Sequence, residues 1–539
     1  MSLVNSLADK LIEWQHETNP FIATQRGKYY NQTKVPTYTA KSFKKQVNDL
    51  KDFQNKLFAI KKQELSTHEQ VNWHLVDITI RQQLRQLTVI KYYEKDPGFV
   101  SSQLISIIYV MLSREYAPIQ DRLNALECRL KLTQSMLESG RDLVKNPPVQ
   151  YTNQAIAQCK HGIKFLTVTV PEIITAQNGT ISTKFKFVLN NTIKQFTKHV
   201  TWLESILPIS KGKFAIGEEN FNNMLQQDYL MDYTAESLIK KGKQLLNETK
   251  QQMTSLAQEI NPNLTWQEII NDMKNYHPAE HEILEVYKQE SQKVKQFVVS
   301  NNIADFPKNE ELILINTPLH MRSLFPYAGY SGPAVFDKFQ SGRFWVTPVE
   351  PEWSTDKKEQ KLREHMFYKI PVFVLHEGYP GHHLQISTQH NLPENIRKIM
   401  HNNLFCEGWA FYCEELLENL GYISHPKTRL SRLKDQLWRA SRIIIDASLH
   451  SERMSFNEAV DLLINEAHLE KMNAVAEVSR YIKNPLRPMS YLMGKLELLE
   501  IAKDYKELKG ESYCLKEFHN ELLQLGAIPP KLVRLELLK

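Results

Sequence analysis

Cysteine is scarce in this 539-residue sequence: Cys128, Cys159, Cys406, Cys413 and Cys514 are odd in number and lack paired spacing. That excludes a disulfide framework and a Cys-x-x-Cys metal knuckle, and it fits a reducing compartment. Long apolar runs are missing too. No stretch reaches the roughly 18 residues of a membrane span, and the first ten residues show no basic segment leading into an apolar core. The expectation is a soluble, cytoplasmic protein with no membrane partner, exported only if a signal has been removed from the sequence. Nor is there an excess of one charge: 67 Lys+Arg stand against 61 Asp+Glu, and basic residues are scattered among acidic ones. A net +6 on so large a surface gives no case for nucleic acid. Repeats of fixed period are absent, which excludes a solenoid.

What is present is helical texture. From about residue 43 to 300 apolar positions recur at three and four, as in Val71-Leu75-Ile78 and Leu123-Leu126-Leu130. Breaks fall near Asn146-Pro147-Pro148, Asn178-Gly179, Leu207-Pro208 and Asn261-Pro262, where helix stoppers meet turn chemistry. At about 310 the texture changes. Glu311-Leu312-Ile313-Leu314-Ile315-Asn316 is a short β-branched run, and a Gly-, Pro- and aromatic-rich stretch follows, including Gly342-Arg343-Phe344-Trp345-Val346-Thr347. Helical periodicity returns from about 357, with breaks near Gly421, Ser455 and Pro485-Leu486-Arg487-Pro488. The expected fold is mainly α, a large helical body in two lobes. Residues 1–305 form the first lobe and 306–539 the second, with a small sheet at about 310–350 beside the helix carrying the motif.

That motif is His376-Glu377-Gly378-Tyr379-Pro380-Gly381-His382-His383. A zinc peptidase needs two neutral imidazoles on one face, a carboxylate beside the first to take a proton from water, and a third ligand from another element. Four residues after His376 stands Pro380, where the usual spacing has its second histidine. On a regular helix His383 would return to within about 20° of His376, and His382 would lie far round the axis. Pro380-Gly381 disfavours a regular helix, so two residues can loop out and restore His382 to the second ligand position. His382 is the favoured ligand, with His383 as the alternative or as a neighbour supporting the ligands. Apolar Pro371-Val372-Phe373-Val374-Leu375 leads into the pair, where a buried His and Glu need partners. Glu407, 25 residues after His382, is the expected third ligand. A helix through Glu407-Gly408-Trp409-Ala410 and on to Leu417 puts Glu414 on the same face, where it could accept from a ligand imidazole. Glu415 and Glu418 are read as solvated.

These residues resemble the bacterial metallopeptidase-like family catalogued as domain of unknown function 885, whose pattern is H-E-x-x-P-G-H-x-x-Q followed by E-G-W-A-x-Y-x-E. His376-Glu377, Pro380-Gly381-His382, Gln385, Glu407-Gly408-Trp409-Ala410, Tyr412 and Glu414 match it. The resemblance extends to Pro20, Ala23-Thr24 and Gly27, to Gly342-Arg343-Phe344-Trp345-Val346, and to Arg442, Asp446, Leu449-His450, Glu477, Arg480-Tyr481, Pro485, Ser490-Tyr491 and Gly494. The family is similar in outline to the helical gluzincin peptidases, among them carboxypeptidase Taq and angiotensin-converting enzyme, which implies a groove between helical lobes with an edge strand over the zinc. Many relatives are exported lipoproteins, and this sequence departs from them in showing no lipoprotein signal. It also departs from thermolysin-type sites, which carry an Asp four residues after the third ligand; here that position is Phe411.

The expected function is zinc-dependent hydrolysis of peptide bonds, with one zinc ion on His376, His382 and Glu407 and Glu377 as general base. Tyr491 or His450 could donate to the oxyanion, and Arg442 and Arg480 could clamp a peptide carboxylate. The alternatives are a non-catalytic peptide-binding protein, a scaffold whose functional part is the helical first half, and the same ligands holding another metal or attacking an ester. Oligomeric state is not set by the sequence.

Overall fold

Helices begin where the sequence supplies caps. Thr39, Ser66, Thr234, Thr265 and Ser455 each open one with a reciprocal capping box, satisfying backbone donors that would otherwise be orphaned. The computed structural model describes residues 2–318, 322 and 327–539, so 319–321 and 323–326 of the expected sheet region lie outside the described residues. The protein is mainly helical with one three-stranded sheet among the described residues, as the sequence indicates. The helix breaks read from Pro, Gly and Asn fall between α-helices, Leu207-Pro208 in a short 3-10 turn: Asn146-Pro147-Pro148 precedes the helix Val149–Lys164, and Asn261-Pro262 follows Ala235–Ile260.

The chain forms two compact units. The first comprises Met1–Phe214 with Ala334–Asp337, the second Ala215–Pro333 with Lys338–Lys539. The expected lobe division at 305/306 falls inside the second unit. There the helix Ala235–Ile260 packs along Pro426–His450 so closely that a Cβ on Gly242 would lie 2.8 Å from Ile444. In the first unit, a core around Leu104, Ile107, Leu126 and Phe196 is wrapped by amphipathic helices. Arg129 is buried there, donating to the carbonyls of Pro20 and Lys34 and to the Thr24 hydroxyl, with its guanidinium over the Phe21 ring. The Pro20–Thr24 stretch is thus a cradle for a buried cation.

The sheet belongs to the second unit. β1 (Glu310–Asn316) runs parallel to β3 (Gln340–Val346), and β2 (Ala328–Ser331) pairs antiparallel on the other side of β3. Phe344 of β3 packs edge-on against Phe373 and Tyr287, seating the sheet on the helix Ile370–Glu377.

Candidate metal centre

The helix Ile370–Glu377 stops at Gly378, and a new helix, His382–His390, starts after Gly381. Close approach explains the glycine: a Cβ on Gly381 would sit 2.0 Å from the His376 carbonyl oxygen and 2.5 Å from that of Leu375. The Trp409 indole donates to the Pro380 carbonyl at 2.8 Å and pins the connecting loop from the neighbouring helix, Asn403–Asn419. The loop returns His382 to His376, their rings perpendicular with centroids 4.9 Å apart.

Glu407 projects from the Asn403–Asn419 helix, with Oε2 3.3 Å from His382 Nε2. Ligand atoms of His376, His382 and Glu407 all lie within 4.8 Å of one another. His376 Nδ1 donates to Glu414 Oε1 at 2.7 Å, which leaves its Nε2 lone pair for the centre. Burial opposes ionisation of Glu407, but the His382 hydrogen bond, with Arg487 and His376 behind it, holds the carboxyl well below the usual range. Burial disfavours the His382 imidazolium, yet Glu407 raises its pKa. Two imidazoles and an ionised carboxylate converging on one point form a donor set suited to zinc.

His383 is fully engaged elsewhere. Its Nε2 donates to Glu310 Oε2 at 2.7 Å, and its Nδ1 meets the Tyr330 hydroxyl at 2.9 Å. Of the two histidines left open, His382 is the one placed beside His376 and Glu407, and His383 lies against Glu310 and Tyr330. Glu310 also takes hydrogen bonds from Tyr379 and Lys295. Its pKa falls to about 2: burial pushes it up, and the bonds from His383, Tyr379 and Lys295 pull it down further. β3 closes over this cluster at Gly342, where a Cβ would meet His383 Nδ1 at 2.5 Å.

The remaining expected residues divide. Tyr491 reaches the rim: it lines the same small cleft as Arg487, and Arg487 Nη2 lies 3.4 Å from Glu407 Oε1. His450 does not reach it. Fully buried, it stacks on Phe221 and lies 3.3 Å from the Tyr481 carbonyl, while burial lowers its pKa to about 4. A catalytic role is corrected to a packing role, because no face of this ring is open to a substrate. Arg442 is likewise corrected: 3% exposed, it is spent on Glu477 and the Tyr481 hydroxyl. Arg480 is half exposed and paired with Glu477. Glu415 and Glu418 are partly buried and paired, Glu415 with Lys495 and Glu418 with Arg429 and Arg432, instead of solvated.

Arg487, Glu310, Tyr330 and Tyr379 are site residues the sequence did not single out. Asp446 accepts from the backbone N–H groups of Leu486 and Met489, so the turn presenting Arg487 is tied to the Pro426–His450 helix. The available signal was that matched motif residues, Tyr481, Pro485 and Ser490-Tyr491, stand on both sides of Arg487.

The sequence matches the family of bacterial proteins of unknown function DUF885 over residues 20–537, and the chain belongs to that family. Two solved structures share the fold. One is of a candidate lipoprotein of unknown function from Shewanella oneidensis, with TM-score 0.84, 22% identity and 100% of both chains covered. The other, a candidate lipoprotein from Colwellia psychrerythraea, gives TM-score 0.82 at 17% identity, covering 98% of this chain and 97% of that one. No curated protein matches. The cytoplasmic expectation is corrected by these neighbours, both described as lipoproteins. Free thiols without a partner in disulfide reach persist in either redox setting, so the cysteine count does not fix a compartment.

Proposed function

We propose that the protein hydrolyses peptide bonds, with a zinc ion held by His376, His382 and Glu407 and with Glu377 as general base. The observation that carries this reading is the convergence of three ligand atoms within 4.8 Å, one imidazole oriented by Glu414. A zinc ion there supplies a Lewis acid that lowers the pKa of a water and polarises a carbonyl. Glu377, half-buried at the end of the His376 helix, takes the water proton and passes it to the leaving amine. Tyr491, in the cleft beside Arg487, is the donor to the oxyanion. The substrate class is short peptides. The proposed setting is the cell envelope, in line with the two neighbours described as lipoproteins.

The test is hydrolysis of a mixed peptide library by zinc-loaded wild type and Glu377→Gln. The reading requires cleavage by wild type and a loss on the order of 100-fold or more in the variant, with zinc content unchanged. Equal cleavage by both would remove Glu377 from the reaction. No cleavage by zinc-loaded wild type would favour a binding protein that keeps the site.

A further inference from the structure

Next to Glu407 lies a small open cleft lined by Arg442, Arg480, Tyr481, Asn484, Arg487 and Tyr491, with room for about one water-sized group, near 10 Å³. Its cations outnumber its anions: Arg442 and Arg480 share a single carboxylate oxygen of Glu477, at 2.9 and 2.6 Å. Arg487 is different. Its side chain is 47% exposed, and its ion-pair partner among the described residues is Glu407 Oε1, at 3.4 Å. A guanidinium carries five N–H donors in a planar fork, so most of those on Arg487 face the cleft unspent.

Resting on the peptidase reading above, we propose that Arg487, with Arg480 beside it, is the anchor for the free C-terminal carboxylate of the substrate, which makes the enzyme one that trims C-terminal ends. The cleft matches the ligand in charge, since its guanidinium groups exceed the carboxylate that Glu477 supplies and Arg487 is open to solvent beside it. It also sets the cleavage position. Arg487 bonds the same side chain that ligates the metal, so a carboxylate on its outer N–H groups lies one or two residues from the scissile carbonyl at about 3.5 Å of chain per residue. A bidentate guanidinium–carboxylate contact gives this recognition both strength and direction. Tyr491 lines the same cleft beside the anchor. Arg442, buried and spent on Glu477 and Tyr481, holds the wall of the cleft without touching the ligand.

The test compares tetrapeptides bearing a free C-terminus with their C-terminal amides, on wild type, Arg487→Met and Arg480→Met, each checked for zinc content and melting temperature. The expected result is kcat/KM about tenfold or more higher for the acid on wild type, single residues or dipeptides released, and an acid-to-amide ratio that collapses toward one in Arg487→Met and falls partway in Arg480→Met. A general structural defect would lower both substrates together and leave the ratio standing. Arg487→Lys, which keeps the charge without the fork, replaces Arg487→Met if that variant does not fold, and should retain part of the ratio. Equal cleavage of acid and amide by wild type overturns the anchor and leaves the peptidase reading intact. Where wild type cuts neither, calorimetric binding of the same pair decides: acid bound in preference to amide, with the preference lost in Arg487→Met, upholds the carboxylate site without the peptidase, and equal or absent binding overturns both.

Discussion

Replacing Gly494 by alanine attacks the contact on which the centre rests. A Cβ there would lie 2.0 Å from the Leu404 carbonyl oxygen, 2.8 Å from its carbon and 2.9 Å from Gly408 Cα. The obstructing atoms are backbone, so no rotamer change relieves them, and the helices Asn403–Asn419 and Ser490–Lys509 must separate by about 1.4 Å to restore ordinary contact. Overpacking of this kind costs about 3 kcal/mol, the upper end for small-to-large core changes. At about 2 °C per kcal/mol for a unit of this size, the melting temperature should fall by roughly 6 °C. The separation also moves Glu407 relative to Tyr491 and Arg487, so zinc affinity should weaken with stability. Differential scanning calorimetry beside a zinc titration measures both. Gly421→Ala is the comparator: its Cβ meets nothing within 4 Å, but its φ of +84° is strained for alanine, so a loss of only about 1 kcal/mol is expected. A Gly494→Ala protein melting within 1 °C of wild type would refute the packing argument.

Other perturbations follow from the same geometry. Glu414→Ala leaves His376 Nδ1 without its acceptor, and the zinc dissociation constant should rise on the order of 10- to 100-fold; an unchanged value would show that Glu414 does not orient the ligand. Trp409→Phe removes the bond to the Pro380 carbonyl and opens a small void, for a loss of about 2 kcal/mol in denaturant unfolding that a wild-type midpoint would contradict. His519 is buried and neutral, placed between the Tyr412 hydroxyl and the Ile303 carbonyl, and burial lowers its pKa to about 4. Above pH 6.5 neither state takes up its proton. Between 6.5 and 4 only the unfolded chain does, so stability declines across that window by up to about 3 kcal/mol. His519→Gln should flatten this part of the profile, and an unaltered slope would refute the assignment.

The legible parts of the site were local. Pro380-Gly381 disfavours a continuous helix, and that favoured a loop returning His382 to His376 while leaving His383 open. The seven-residue spacing of Glu407 and Glu414 placed both carboxylates on one helical face, and Glu414 supplies the support that Phe411 cannot. Long-range partners left no such trace. Glu310 meets His383 across 73 residues and Arg487 meets Glu407 across 80, so neither contact has a periodicity to betray it. His450 and Arg442 carry chemistry-bearing side chains in the matched motif, but their partners are Tyr481 and Glu477, which consume them in holding the 482–489 turn. The sequence marked this region as important without showing that Arg487 is what it presents. Five free cysteines, similarly, describe thiol chemistry and not an address.

The most direct measurement is metal content of the purified protein after zinc loading and dialysis, for wild type and Glu407→Ala. One zinc per wild-type chain and its loss in the variant are expected, with both proteins folded by circular dichroism. Wild type that retains no metal, or a variant that retains as much as wild type, would contradict it.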